Sequence, residues 1–262
     1  MELDRVLVMP GDEVRCPQGS MPGFGTYENS EGKIVANQIG YPAIYNKLVC
    51  VNPVRGRYIG ETSNVIIGRI AQVANKRWKV NVGSPQEAVL HLSAIDLPTG
   101  EHRIRSEEDQ LHMREYFNYN DLLSAEVQSL TQDGKSMALQ TRSNKFGKLK
   151  NGMLVKVSPM LVGRMRHHFV QISGVDVIFG RNGWIWVYLA HNAEVEVPLN
   201  VRQEIVRVAC VIKLLNLAKK VICAESVKEV MDCLKEVLID EILSKNSLGI
   251  VKENAWGIEG EV

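Results

Sequence analysis

The sequence predicts a multi-domain β plus α+β protein: a small N-terminal β-domain, a five-stranded barrel and a C-terminal α+β domain. Three observations carry that expectation. Short apolar or alternating runs, punctuated by Gly, Pro and Asn-Gly steps, fill the chain as far as Tyr188. Helical periodicity takes over only after Pro198. A length of 262 residues also exceeds that of one ordinary domain.

Composition sets outer bounds. Hydrophobic residues make up 45% and charged residues 23%, a globular balance that excludes wholesale disorder. No apolar run approaches the ~18 residues of a membrane span. The opening Met1-Glu2-Leu3-Asp4-Arg5 lacks the layout of a signal peptide, so a cytosolic or nuclear protein is expected. Five widely spaced cysteines, Cys16, Cys50, Cys210, Cys223 and Cys233, include no CxxC pair. They read as buried free thiols rather than a disulfide framework or a zinc ribbon.

The N-terminal β-domain is expected over residues 1–55. Val6-Leu7-Val8-Met9 reads as a strand entering the Pro10-Gly11-Asp12 turn. The glycine-dense stretch Gly19–Thr26 has no following lysine and no helix pattern, so it reads as a loop and not as a phosphate-binding loop. Lys33–Ala36 and Lys47–Val51 supply further strands.

The barrel is expected over residues 56–143. Its strands are Val65–Val73, Arg77–Val82, Ala88–Leu92, Asp121–Leu130 and Ser136–Thr141. Gly68 suggests a bend or bulge inside the first of them. Ser106, with Asp109 three residues later, starts a short helix before the fourth. Asp133-Gly134 turns the fourth into the fifth. Five short strands in so few residues suit a closed barrel, of which the OB-fold is the common example.

The α+β domain is expected over residues 144–247, followed by a polar tail at 248–262. Strands Met153–Val157, Val175–Phe179 and Trp184–Tyr188 precede two amphipathic helices. Gly180-Arg181-Asn182-Gly183 joins the second and third strands as a tight hairpin. Val201, Ile205, Val208, Ile212 and Leu215 form one apolar stripe. Val227, Val230, Met231, Leu234, Leu238 and Ile242 form another.

Charge is unevenly spread. Gly134–Val175 holds eight cations and no acid, and Arg55–Asn81 holds six cations against Glu61 alone. From Glu194 onward twelve acids face nine bases. A basic middle suits a polyanionic partner, or is a solvated face that binds nothing.

Several strings, taken in order, resemble the S1/KH cap subunits of the RNA exosome. They are Pro10-Gly11-Asp12 with Gly23–Tyr27, Arg57–Glu61, Val65–Ile70, Lys76–Val80, Asp121–Gln128, Thr141-Arg142-Ser143 with Phe146–Leu149, and Gly180–Trp186. The resemblance covers residues 5–240. It implies an S1 (OB-fold) barrel and a KH-type C-terminal domain. It also implies a non-catalytic subunit on a ring of RNase PH-like proteins, beside other cap subunits and an associated 3′–5′ exoribonuclease. Such a subunit guides single-stranded RNA to the pore, in the nucleus, including the nucleolus, and in the cytoplasm. No cofactor, metal or membrane contact is implied.

Candidate RNA contacts follow from chemistry and from that resemblance. Trp78 lies among Lys76, Arg77 and Lys79, a stacking ring within a cationic track. It matches an aromatic of S1 domains, and His91 matches their strand histidine; Asn75 stands where many place a second aromatic. Trp78 equally suits packing or a protein interface. Arg103 and Arg105 can reach phosphates, or pair with Glu107, Glu108 or Asp109. KH domains grip RNA through a GXXG loop. Here the candidate loops are Gly163-Arg164-Met165-Arg166, which lacks the second glycine, and Gly180-Arg181-Asn182-Gly183, whose strand flanks suggest a hairpin that packs domains together. His167 and His168 would diverge on a helix and read as surface residues, not metal ligands. No GxSxG, HExxH or Walker motif appears. A scaffold without RNA, a metal-dependent nuclease and the sister cap subunit remain the alternatives.

Overall fold

A computed structural model gives the fold and describes residues 7–54, 56–95, 107–131, 133–143, 145–163, 165–189, 198–234, 237, 241–243, 247–249 and 251. The chain divides into two units, Met1–Gly56 and Arg57–Val262.

The first unit is all-β. Its strands are β1 (Met21–Pro22), β2 (Thr26–Glu28), β3 (Ile34–Ala36), β4 (Gly40–Tyr45) and β5 (Leu48–Pro53). One sheet runs β1-β5-β4 and a second pairs β2 with β3. Val8, Val14, Ile34, Ala36, Val49 and Val51 form its core. The expected first strand reduces to a single bridge from Val8 to Gly40. The expected Gly19–Thr26 loop contains β1, which pairs Met21 with Leu48 in parallel. Strand β4 escapes the sequence reading because of Pro42. It lies at the sheet edge, where a residue without an N–H is tolerated.

The second unit opens with the barrel. Its strands are β6 (Val65–Ala74), β7 (Arg77–Asn81), β8 (Glu87–Ile95), β9 (Leu122–Leu130) and β10 (Ser136–Thr141). Antiparallel ladders join β6 to β7, β7 to β8, β6 to β9 and β9 to β10. A parallel ladder between β10 and β8 closes the ring. Strand β11 (Gly147–Lys148) pairs antiparallel with β9. Helices α1 (Glu107–Leu111) and α2 (Met113–Tyr116) lie between β8 and β9, and Met113 and Phe117 enter the barrel core. The helix start expected at Ser106 lies outside the described residues.

Strand β6 is apolar on both faces for a reason. Ile66 and Ile70 fill the barrel, while Val65 and Ile67 face the α+β domain. Gly68 is not the bulge: the register of the β6–β7 ladder shifts between Ile70 and Gln72. Glycine is needed there for space, because a Cβ would sit 2.3 Å from Val80 Cγ1.

The α+β domain has an antiparallel sheet of β12 (Gly152–Lys156), β13 (Phe169–Ile172), β14 (Val175–Phe179) and β15 (Trp184–Tyr188), ordered β12-β15-β14-β13. One face, with Val155, Val177, Phe179, Ile185 and Val187, packs on α3 (Leu199–Ala218) and α4 (Ala224–Cys233). The other face, with Ile178, Trp184 and Trp186, packs on Val65 and Ile67 of β6. Helices, sheet and barrel therefore stack in that order. The first expected stripe is α3, which ends where Lys219 adopts a left-handed conformation, φ 59°. The second stripe is shorter as a helix: α4 ends at Cys233, although Ile242 is still buried in the same core. Leu238 lies outside the described residues. The tail expected from residue 248 begins too early, since Leu248 packs on that core and Val251 is fully buried in it.

Candidate nucleic-acid interface

Strand period places the cations. On β7, Trp78 and Val80 point into the barrel, so Arg77, Lys79 and Asn81 point out. Ladder registry sets Arg77 directly opposite His91 on β8, and His91 is exposed. Directly opposed side chains on one face of a sheet lie within about 5.5 Å at Cβ, so these two share one patch. Lys76 occupies the β6–β7 turn with φ 57°. Its carbonyl accepts from the Leu92 N–H at 3.0 Å, and its side chain is exposed.

Lys79 is already engaged. Its ammonium lies 2.6 Å from the Glu87 carboxylate. That hydrogen bond, with the attraction of the same charge, holds Glu87 below its ordinary carboxylate pKa. Arg77, His91 and Lys76 thus form the open part of the face, with Lys79 masked by an acid.

Trp78 corrects the stacking expectation. Its side chain is 0% exposed, its Nε1 donates to the Phe117 carbonyl at 2.9 Å, and its ring meets Phe117 edge-on at 5.6 Å. A ring enclosed on all sides offers no face to a base, so Trp78 is a core residue. The packing alternative describes it. Arg103 and Arg105 lie outside the described residues.

Neither loop of the α+β domain is built as an RNA grip: the first departs from that expectation, and the second takes the alternative read from its flanks, a hairpin that packs domains together. A 3₁₀ turn, Pro159–Leu161, and strand β13 flank Gly163–Arg166, so no helix pair presents it. A Cβ on Gly163 would rest at an ordinary 3.6 Å from Val221 Cγ1, so nothing there demands glycine. Arg166 is exposed, and Arg164 lies outside the described residues. The second loop is closed to RNA. Asn182, 3% exposed, donates from Nδ2 to the carbonyls of Ile67 at 2.7 Å and Val82 at 2.8 Å. The Arg181 N–H donates to the Val65 carbonyl at 2.9 Å, and its guanidinium donates to the Val162 carbonyl. Gly180 and Gly183 are buried, and Gly183 takes φ 78° where a Cβ would meet the Val157 carbonyl at 2.4 Å. Gly180, Asn182 and Gly183 therefore join barrel to sheet and do not grip a strand.

The histidine pair lies on irregular backbone, not a helix. His167 is exposed, whereas His168 turns inward and donates from Nδ1 to the Phe179 carbonyl at 2.8 Å. Among the described residues no group of three His, Cys, Asp or Glu is placed to hold a metal. Among the described residues, too, no helix is long and apolar enough to cross a membrane.

The sequence reading missed the flank of the face. Arg69 of β6 lies opposite Asn81 and donates from Nη1 to Asn120 Oδ1 at 3.1 Å. Lys148 bonds the Asp121 carboxylate. Burial alone would raise the Asp121 pKa, but Lys148 and the Asn118 N–H outweigh it and hold it below its ordinary value. The run Asn118–Asp121 carried the signal, since such residues build turns through their side chains.

A closed five-stranded barrel locked by a hairpin to an α+β sheet defines an S1–KH protein. The family model "RRP4, S1 domain" matches residues 57–129, and a KH-domain model matches residues 152–192. Exosome complex component RRP4 of Bos taurus is 47% identical over 188 residues, 71% of this chain and 64% of that protein. The Saccharomyces cerevisiae protein of the same name is 45% identical, over 71% of this chain and 52% of its own. The Caenorhabditis elegans homologue is 38% identical over 80% of this chain and 73% of its own. The chain belongs to the RRP4 family of exosome complex components. Its matched part spans 64% of the bovine relative's length.

Proposed function

We propose that this chain is a non-catalytic RNA-binding cap subunit of the exosome. It stabilises an RNase PH-like ring and leads single-stranded RNA to the pore, where an associated 3′–5′ exoribonuclease processes or degrades it. Its place is the nucleus, including the nucleolus, and the cytoplasm. The names of its relatives support the assembly.

The observation that carries RNA binding is the sidedness of the barrel. Val65 and Ile67 on β6 are covered by the α+β sheet, while Arg77 and His91 stand exposed on adjoining strands with Lys76 at their end. The second and third strands of an OB-type barrel are its usual nucleic-acid face. Cations there neutralise phosphates and release counterions, so binding tracks the backbone and falls with salt.

The test is the double variant Lys76→Glu with Arg77→Glu in the full chain, titrated with a single-stranded oligoribonucleotide across salt concentrations. Affinity falls, and the log–log salt slope flattens by about 0.7 for each phosphate no longer neutralised. A variant with wild-type affinity and slope contradicts the reading.

A further inference from the structure

The basic face lacks the stacking ring expected of it, because Trp78 is enclosed in the barrel. Single-strand sites of OB type combine a cationic track with rings on which bases stack. Among the described residues of the second unit, Tyr119 is the strongly exposed aromatic, at 69%. A single exposed tyrosine is ordinary in itself. The turn that carries it, and where that turn is anchored, are not.

Tyr119 sits between α2 and β9 on a turn bonded at each residue. Asn118 N–H donates to Asp121 Oδ2 at 2.8 Å, and Tyr119 N–H donates to Asn118 Oδ1 at 2.8 Å. Asn120 N–H donates to the Ile70 carbonyl at 2.9 Å, and Ile70 N–H donates to the Asp121 carbonyl at 2.9 Å. The Arg69 guanidinium holds Asn120 Oδ1. The turn is thus fastened to the β9 side of β6, one strand away from β7. The backbone beneath the ring is already ordered, so binding has only the side chain left to fix.

Registry puts that anchor on the basic face. Arg69 lies opposite Asn81, and along β7 the outward residues then run Asn81, Lys79, Arg77, with His91 beside Arg77. Each outward step along a strand covers about 6.7 Å, so the Arg69 row lies about 13 Å from the Arg77 row. One short oligonucleotide covers that span, since an OB-type site takes roughly 4–16 nucleotides.

We infer that Tyr119, flanked by Arg69, is a stacking station for one base of the single strand whose phosphates run along β7. This rests on the proposed RNA function and adds to it an interaction of a different kind, base stacking where the β7–β8 face supplies charge. It replaces the role expected of Trp78.

The experiment uses the full chain and a fluorescently labelled oligoadenylate, with binding followed by anisotropy at low and raised salt. Wild type, Tyr119→Ala, Tyr119→Phe and the Lys76→Glu/Arg77→Glu double variant are compared. Tyr119→Ala weakens binding roughly tenfold, as removal of one stacked base does, with the salt slope unchanged. Tyr119→Phe, which keeps the ring, binds as wild type. Tyr119→Ala with wild-type affinity, while the double variant is weakened, overturns the stacking station and leaves the RNA reading standing. A wild-type chain that fails to bind at low salt overturns both.

Discussion

Within Lys76-Arg77-Trp78-Lys79 the side chains separate by the two-residue period of a strand. Trp78 shares its side with Val80, and both point into the barrel. That alternation was present in the sequence, and it outranks the chemistry of the neighbouring cations. Trp78→Ala is therefore a stability change: it costs about 3–5 kcal/mol, as for other large core truncations, and urea unfolding of the full chain reads it. His168 carries a pH dependence. Burial pushes its pKa below the ordinary value, and the nearby Arg181 charge adds to this against a smaller opposing pull from the Phe179 carbonyl. The native state thus prefers the neutral ring. Its contribution is full above the unfolded pKa of about 6.5 and is lost as pH falls through that value towards the folded one. Denaturation midpoints compared at about pH 7 and about pH 5.5, on either side of that unfolded value, should drop less for His168→Gln than for wild type.

At the scale of elements, the β7–β8 ribbon sets which cations are available. Lys79 is masked by Glu87, so Glu87→Gln releases a cation onto the face. The expected result is tighter RNA binding and a steeper salt slope, measured in the same titration. The strands with strong alternation or continuous apolar runs were legible in advance, among them β6, β9 and β15. Strand β4 was not, because Pro42 argues against a strand until its edge position is known. Strand β13 was not, because Phe169–Ile172 is too short to show a period. Each is made a strand by pairing with the strand that follows it, β5 for β4 and β14 for β13, across a two-residue turn.

Across the second unit, one hairpin couples the barrel to the α+β sheet. The Asn-Gly turn was legible as a hairpin; its partners, the Ile67 and Val82 carbonyls, were not, since they lie 115 and 100 residues away. Asn182→Ala leaves both carbonyls without that donor in a buried place, a cost of about 2–3 kcal/mol. Calorimetry of the full chain reads it as a lowered unfolding temperature. The same coupling decides which side of the barrel faces outward: β6 is covered at Val65 and Ile67, and the basic β7–β8 face is left open. Ultraviolet crosslinking of single-stranded RNA to an assembled exosome containing this chain, with the crosslinked peptides mapped, tests that assignment most directly. Crosslinks within residues 69–105 are the expected result; an assembly that crosslinks RNA elsewhere and leaves this whole segment unmarked would contradict it.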